Sequence, residues 1–262
     1  MSFLNKEGDS QANQDGVRFT PDVFLENHKQ DLQLYPGLRV FSFPSGDNLL
    51  PLKSDLSPKF EKLWASALSR QIDDKLVIDD SAVFPYLPTD KVIILQNDKQ
   101  EIPVFFSYRE IETPKNGLGL YLHICLIDQA YQGKGLAKKV LAHVINLTNA
   151  KYIALTTQNE HMVQTLRPFC QKGNLYPIDA APDEDMGEIA SILISNKAGF
   201  NVDTFIRKSV YANGSPLYGD RVERHSNHED IRNYFIKNVD FQKGDALLVI
   251  GKITNPLVNN TV

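Results

Sequence analysis

Only two cysteines, Cys125 and Cys170, occur in 262 residues. A disulfide scaffold or a cysteine-built zinc site is therefore not expected, and a reducing cytosol is the default compartment. An excess of charge is missing too. The net charge is −4 and the pI is near 5.9, which gives no electrostatic footprint for nucleic acid or an anionic membrane. The longest apolar runs, such as ALLVIG at Ala246–Gly251, are strand-sized and too short to span a bilayer. The N-terminal MSFLNKEGDSQANQDG lacks the apolar stretch of a signal peptide. Without such a signal, the glycosylation-like Asn146-Leu-Thr148, Asn213-Gly-Ser215 and Asn259-Asn-Thr261 read as chance. What is present, 42% hydrophobic and 23% charged residues, is ordinary for a soluble globular protein.

Residues 1–16 are polar and read as a flexible tail, with 17–262 as one domain, since no internal repeat or linker-like break occurs. Ser57-Pro58 reads as a helix start, with Glu61 in the first turn and Phe60, Leu63, Trp64, Ala67, Leu68 and Ile72 at helical spacing. After the turn-rich 84–88 come three strand-like runs, 91–96, 102–111 and 119–127. Short turns separate them, so an antiparallel meander is expected. The period then changes. Leu136, Val140, Leu141, Val144 and Ile145 mark an amphipathic helix ending near Asn149, followed by a strand at 152–156. Asn159 is placed to cap a helix running to about Gln171. Residues 173–240 read weakly apart from a helix at 228–236, and 245–253 closes the chain as a buried strand.

Two glycines stand where the helix at Leu136 begins, and no Ser, Thr, Asp or Asn adjoins Leu136 to cap it. A helix start carries four unpaired N–H groups and roughly half a positive charge. Glycines allow close approach by a ligand, so the turn Gln132-Gly133-Lys134-Gly135 is suited to cradle a phosphate or pyrophosphate. Three phosphate-binding patterns compete. A Walker loop fails because Lys134 lies between the glycines. A dinucleotide fingerprint fails because position 138 is Lys138 and no acidic residue stands about twenty positions on. The pattern Gln/Arg-x-x-Gly-x-Gly/Ala is matched by Gln132-Gly133-Lys134-Gly135-Leu136-Ala137 at every fixed position.

That motif, with a strand before it, a helix after it, then a strand and an asparagine-started helix, resembles the GNAT superfamily of acyl-CoA-dependent N-acyltransferases. The resemblance spans about 90–171 and leaves 173–240 unassigned. It implies an α+β, GNAT-like fold, with a mixed, mostly antiparallel central sheet flanked by helices. It also implies acetyl-CoA as co-substrate, with no metal. Gln132, Gly133, Lys134, Gly135, Leu136 and Ala137 would hold the pyrophosphate. Cys125, Leu126 and Ile127 would lie along the pantetheine arm, where a backbone N–H polarises the thioester carbonyl. Asn159 would contact the same arm, or serve as an ordinary N-cap.

His123 and Tyr121 lie two apart on the strand that feeds the motif, and simple alternation puts them on one face. In the arylalkylamine branch these positions resemble a proton-relaying histidine pair. In the histone-acetylating branch the earlier one is the catalytic glutamate. His123 is thus the base candidate with Tyr121 beside it, and Glu110 and Glu112 are alternates. One departure concerns the acid: many members carry a tyrosine seven residues after the asparagine, where this chain has Leu166. Tyr176 is a substitute to test.

The acidic run Asp179–Glu188 reads as a solvated loop or as the wall of a site for a cationic amine. The stretch 225–230 reads as a helix start capped by Ser226 or Asn227 rather than a metal site. The expected activity is transfer of an acetyl group from acetyl-CoA to a primary amine of a small molecule or peptide. The alternatives are an acyl-CoA-binding regulatory module and a protein-lysine acetyltransferase.

Overall fold

The computed structural model describes residues 25–68, 89–113, 115, 117–194, 199–210 and 226–254. The expected tail, the turns at 84–88, His225 and the glycosylation-like sites at 213 and 259 lie outside these residues.

Alternating apolar residues build the first half of a sheet. β1 (Lys29–Gln30) and β2 (Leu38–Phe43) precede β3 (Lys91–Asn97), β4 (Val104–Thr113) and β5 (Gly117–Ile127), all paired antiparallel in chain order. The alternation sorts side chains to two faces. Phe41, Phe43, Val92, Ile94 and Phe105 turn to one face, where Leu56, Phe60 and Leu63 of α1 (Lys53–Leu68) cover them. Val40, Ile93, Leu95, Phe106 and Tyr108 turn to the other, under Leu136, Val140 and Val144 of α2 (Leu136–Thr148).

α1 starts earlier than the Ser57 cap predicts. A 3₁₀ turn over Gly46–Leu52, capped by Ser45 and Asn48, runs straight into it at Lys53. Pro58 therefore lies inside the helix, and the Ser57 hydroxyl donates to the Lys53 carbonyl at 2.7 Å instead of capping.

From α2 the chain crosses to β6 (Tyr152–Thr157), which is parallel to β5. This is the one parallel pair among the described strands, so the sheet is mixed and mostly antiparallel, with helices on both faces. A chain that returns parallel needs a crossover, and α2 provides it. α3 (Glu160–Leu166) ends sooner than predicted. A 3₁₀ turn at Arg167–Phe169 follows, and then the unpredicted strand β7 (Cys170–Tyr176). α4 (Glu184–Leu193), β8 (Phe200–Asn201), β9 (Ile206–Arg207) and α5 (Glu229–Asn238) fill the stretch that read weakly. β10 (Ala246–Ile253) inserts beside β6 and also pairs with β7 and β9.

β10 is crowded at Gly251, where a Cβ would overlap Cys170 Sγ and stand 3.3 Å from Leu175 Cδ1. Gly251→Ala is expected to lower unfolding stability by about 1–3 kcal/mol. Urea denaturation would measure the loss, and adding Cys170→Ala should recover most of it.

Candidate active site

β5 and β6 are paired only between Gly119–Leu122 and Tyr152–Leu155. Beyond Leu122 the strands part. The departure coincides with a bulge in β5: Tyr108 opposes Leu122 and Ser107 opposes Ile124, which leaves His123 as the extra residue. A bulge bends its strand and re-aims side chains. Here it also inverts the alternation. Leu120 and Leu122 belong to the core under α2, whereas Ile124 and Leu126 turn to the α1 side and Cys125 and Ile127 take their place. The inversion falls between His123 and Ile124, so Tyr121 and His123 still share a face, as their spacing predicts. Their rings lie 6.5 Å apart, inclined by 30°.

His123 Nδ1 is 2.7 Å from Asp90 Oδ2, and the Asp90 side chain is fully buried. Asp90 Oδ1 accepts from Arg109 Nε at 3.2 Å and from Nη2 at 3.1 Å. Arg109 counters the charge that makes a buried carboxylate costly. A carboxylate accepts only, so Nδ1 carries the proton and Nε2 of the neutral ring keeps its lone pair. The imidazole is partly exposed, with a side-chain exposure of 33%. This is an imidazole that is oriented on one side and accessible on the other.

Sequence reading missed Asp90 and Arg109, although the meander's register contains them. Lys91 opposes Tyr108, so Asp90 comes level with Arg109, and Arg109 opposes Tyr121. The Tyr121 hydroxyl donates to Thr156 Oγ1 at 3.0 Å, and Arg207 Nη1 donates to the same oxygen at 3.1 Å. The alternates do not join this group. Glu110 is paired with Lys91 at 2.5 Å and Glu112 is exposed. Tyr176 lies on β7, where its hydroxyl donates to Asn174 Oδ1 at 3.0 Å. It interacts with Tyr152, which pairs with Gly119 at the closed end of the β5–β6 pair. Leu166, in the position of the missing acid, is fully buried in the core.

The glycine turn follows the parting strand. A 3₁₀ turn at Gln129–Tyr131, capped by Asp128, leads to Gly133 and Gly135, both at φ +74°, and Gly135 is the N-cap of α2 without a side-chain cap bond. That left-handed geometry is strained for any residue with a Cβ, and nothing lies within 4 Å of where either Cβ would stand. Among the described residues, the N–H groups from Gly133 to Lys138 meet no acceptor. Open approach and consecutive free donors fit a pyrophosphate. Lys134, Lys138 and Lys139 are exposed around it. Gln132 serves the turn differently from its neighbours. Its backbone N–H is used by Gln129 O at 3.3 Å, and its side chain donates to Ile127 O at 2.9 Å and Ala67 O at 3.1 Å. It fastens the turn to the ends of β5 and α1. Asn159 is the N-cap of α3, accepting from the His161 N–H at 2.9 Å.

Cys125 lines β5 beside this opening, but burial pushes its thiol up to about 12. Burial does the same to Cys170, also to about 12. Thiolates are the reactive form. Both cysteines should react slowly with a thiol reagent at neutral pH in the native protein and rapidly once it is unfolded, as read by absorbance.

A mixed, mostly antiparallel sheet flanked by helices, with the order strand, glycine turn, helix, strand and asparagine-started helix, is the arrangement that the resemblance implied. The fold is GNAT-like. No protein-family model and no curated protein matches the chain. Among solved structures it is similar to an acetyltransferase of the GNAT family from Staphylococcus aureus Mu50, at 17% identity and TM-score 0.32, over 46% of this chain and 73% of that one. It is also similar to the aminoglycoside acetyltransferase meta-AAC0020 from an uncultured soil metagenomic sample, in complex with sisomicin. That likeness has 10% identity and TM-score 0.38, over 52% of this chain and 89% of that one. A third is the microcin C7 self-immunity acetyltransferase MccE in complex with acetyl-CoA and AMP, at 11% identity and TM-score 0.35, over 51% and 78%.

The remaining polar stretches have local structural roles. Asp183 caps α4, accepting from Met186 N–H at 2.9 Å, and Glu184 and Asp185 follow in its first turn, where acidic side chains favour a helix start. Asp179 and Asp230 both bind Arg167, tying α5 to the segment after β7. α5 begins one residue later than the predicted caps. His228 is its N-cap and its N–H donates to Ser226 Oγ at 3.1 Å. Among the described residues no group of His, Cys, Asp and Glu could hold a metal ion. No helix of the described residues is long and apolar enough to cross a membrane.

Proposed function

We propose that this chain is an N-acyltransferase that moves an acetyl group from acetyl-CoA to a primary amine. The observation that carries the reading is the position of the His123–Asp90 pair at the point where β5 and β6 part, one strand end away from the free N–H groups at the head of α2.

When bound, acetyl-CoA supplies a thioester with an acyl carbon open to attack. Gly133, Lys134, Gly135, Leu136 and Ala137 hold the pyrophosphate through backbone N–H groups, and Gln132 keeps their turn in place. Cys125, Leu126 and Ile127 lie along the pantetheine arm, with Asn159 across the gap. His123 Nε2 removes a proton from the acceptor amine as its nitrogen bonds to the acyl carbon. Asp90 stabilises the imidazolium that forms, since Nδ1–H already points at its carboxylate. The carbon–sulfur bond breaks, and the Tyr121 hydroxyl returns a proton to the sulfur.

The test is calorimetric titration with acetyl-CoA, followed by an assay of thiol release with a panel of primary amines. Binding with amine-dependent release is the expected result. Binding with no release for any amine would mark the chain as a sensor of acyl-CoA. Absence of binding would overturn the reading altogether.

A further inference from the structure

The acceptor side of this site carries two guanidinium groups of unlike standing. Arg109 is spoken for: both of its contacting nitrogens bind Asp90, and the carboxylate offsets its charge. Among the described residues, Arg207 has no carboxylate partner. The one hydrogen bond of its guanidinium there is to the neutral hydroxyl of Thr156, at 3.1 Å. It is half-buried on β9, paired with Ala246 of β10, and so reaches across β10 to β6.

Thr156 fixes where that charge is held. It is the first residue of β6 beyond the last β5–β6 pair, Leu122↔Leu155, so it stands on the wall of the gap. Its hydroxyl is also bound by Tyr121, whose ring is 6.5 Å from that of His123. Imidazole, phenol, hydroxyl and guanidinium thus form a row from β5 over β6 and β10 to β9. A half-buried guanidinium without an anionic partner leaves most of its five donors unused, and planar carboxylates are the groups those donors match best.

We propose that Arg207 is a specificity residue that binds a carboxylate of the acceptor, making the substrate class amino acids rather than simple amines or polyamines. The inference rests on the acyltransferase reading: His123 receives the amino group at one end of the row, and Arg207 holds the carboxylate at the other. Polyamines and aminoglycosides, which bring further cations, meet an uncompensated positive charge there.

The test compares kcat/KM for amino acids and their decarboxylated partners, using phenylalanine against phenethylamine and lysine against cadaverine, in the wild type, Arg207→Lys and Arg207→Met. Acetyl-CoA affinity by calorimetry checks that each variant is folded at the cofactor turn. The wild type is expected to prefer the carboxylate-bearing member of each pair. Arg207→Met should shrink that preference by about 10- to 100-fold through KM, the range of a hydrogen bond to a charged group. Arg207→Lys should keep part of it. Equal turnover within each pair, or a preference that survives Arg207→Met, would overturn the assignment while leaving the acyltransferase reading in place. Acetyl-CoA binding with no turnover of any amine would overturn both.

Discussion

Alanine at His123 is expected to lower kcat for acetyl transfer by about 100- to 10,000-fold, the usual contribution of a positioned general base, while acetyl-CoA still binds. The imidazole is held on Asp90 through Nδ1 and is partly exposed on its other side. Asp90 is expected to act through it. Asp90→Ala removes the acceptor that fixes the Nδ1 tautomer and leaves the Arg109 guanidinium without its carboxylate. Activity should fall nearly as far as in His123→Ala, and stability by about 1–3 kcal/mol for a buried charged hydrogen bond that is lost. Two readouts separate positioning from plain structural support. The loss should appear in kcat more than in KM, and Asp90→Glu should restore part of it. Combining His123→Ala with Asp90→Ala should cost little more activity than either change alone, because the two groups act as one unit. A double variant whose losses multiply would show that they act separately.

The second large effect concerns the glycine turn. Gly133→Asp with Gly135→Asp is expected to weaken acetyl-CoA binding by at least about 100-fold, from two carboxylates set against a pyrophosphate and a turn forced at two positive-φ positions. Both residues sit at φ +74° with open space beyond them, so the substitution does not collide with protein. The paired alanine variant divides the causes. Gly133→Ala with Gly135→Ala keeps the backbone penalty but adds no charge, and it should bind with an intermediate affinity. If the aspartate and alanine pairs bind alike, the turn is working through its shape alone. If the aspartate pair binds as the wild type does, the turn is not a phosphate site.

The parts of this molecule that sequence reading found are those with a strong period or a named motif. β3, β4, β5, α2, β6 and β10 were all foreseen, within about two residues at their ends, because apolar spacing alone marks them. β1, β2, β7, β8 and β9 were not foreseen. β7 carries Gly173 and Asn174 in its middle, and β8 and β9 have only two residues each, too few to show a period. The acidic run misled for another reason: Asp183, Glu184 and Asp185 are a helix start, and the apolar face they introduce is only ten residues long. At the site, the motif supplied the turn and the strand supplied His123 and Tyr121. Asp90 was missed because one acidic residue beside a turn-rich segment looks solvated. Only the strand register, which composition does not reveal, places it against Arg109 and the bulge. Arg207 was hidden in the same way, on a strand too short to read.

The bulge has a consequence for how this sheet meets its surroundings. Edge strands are normally found at a sheet's rim, where unpaired backbone invites other chains to add on. Past Leu122, β5 is such an edge in the middle of a ten-stranded sheet, with the outer strands on one side and β6 with β10 on the other. An extended guest can be received there by backbone hydrogen bonding alone, as an added strand. α1 and α2 pack on the two faces of the sheet beside it, so an added guest strand would lie between two helices.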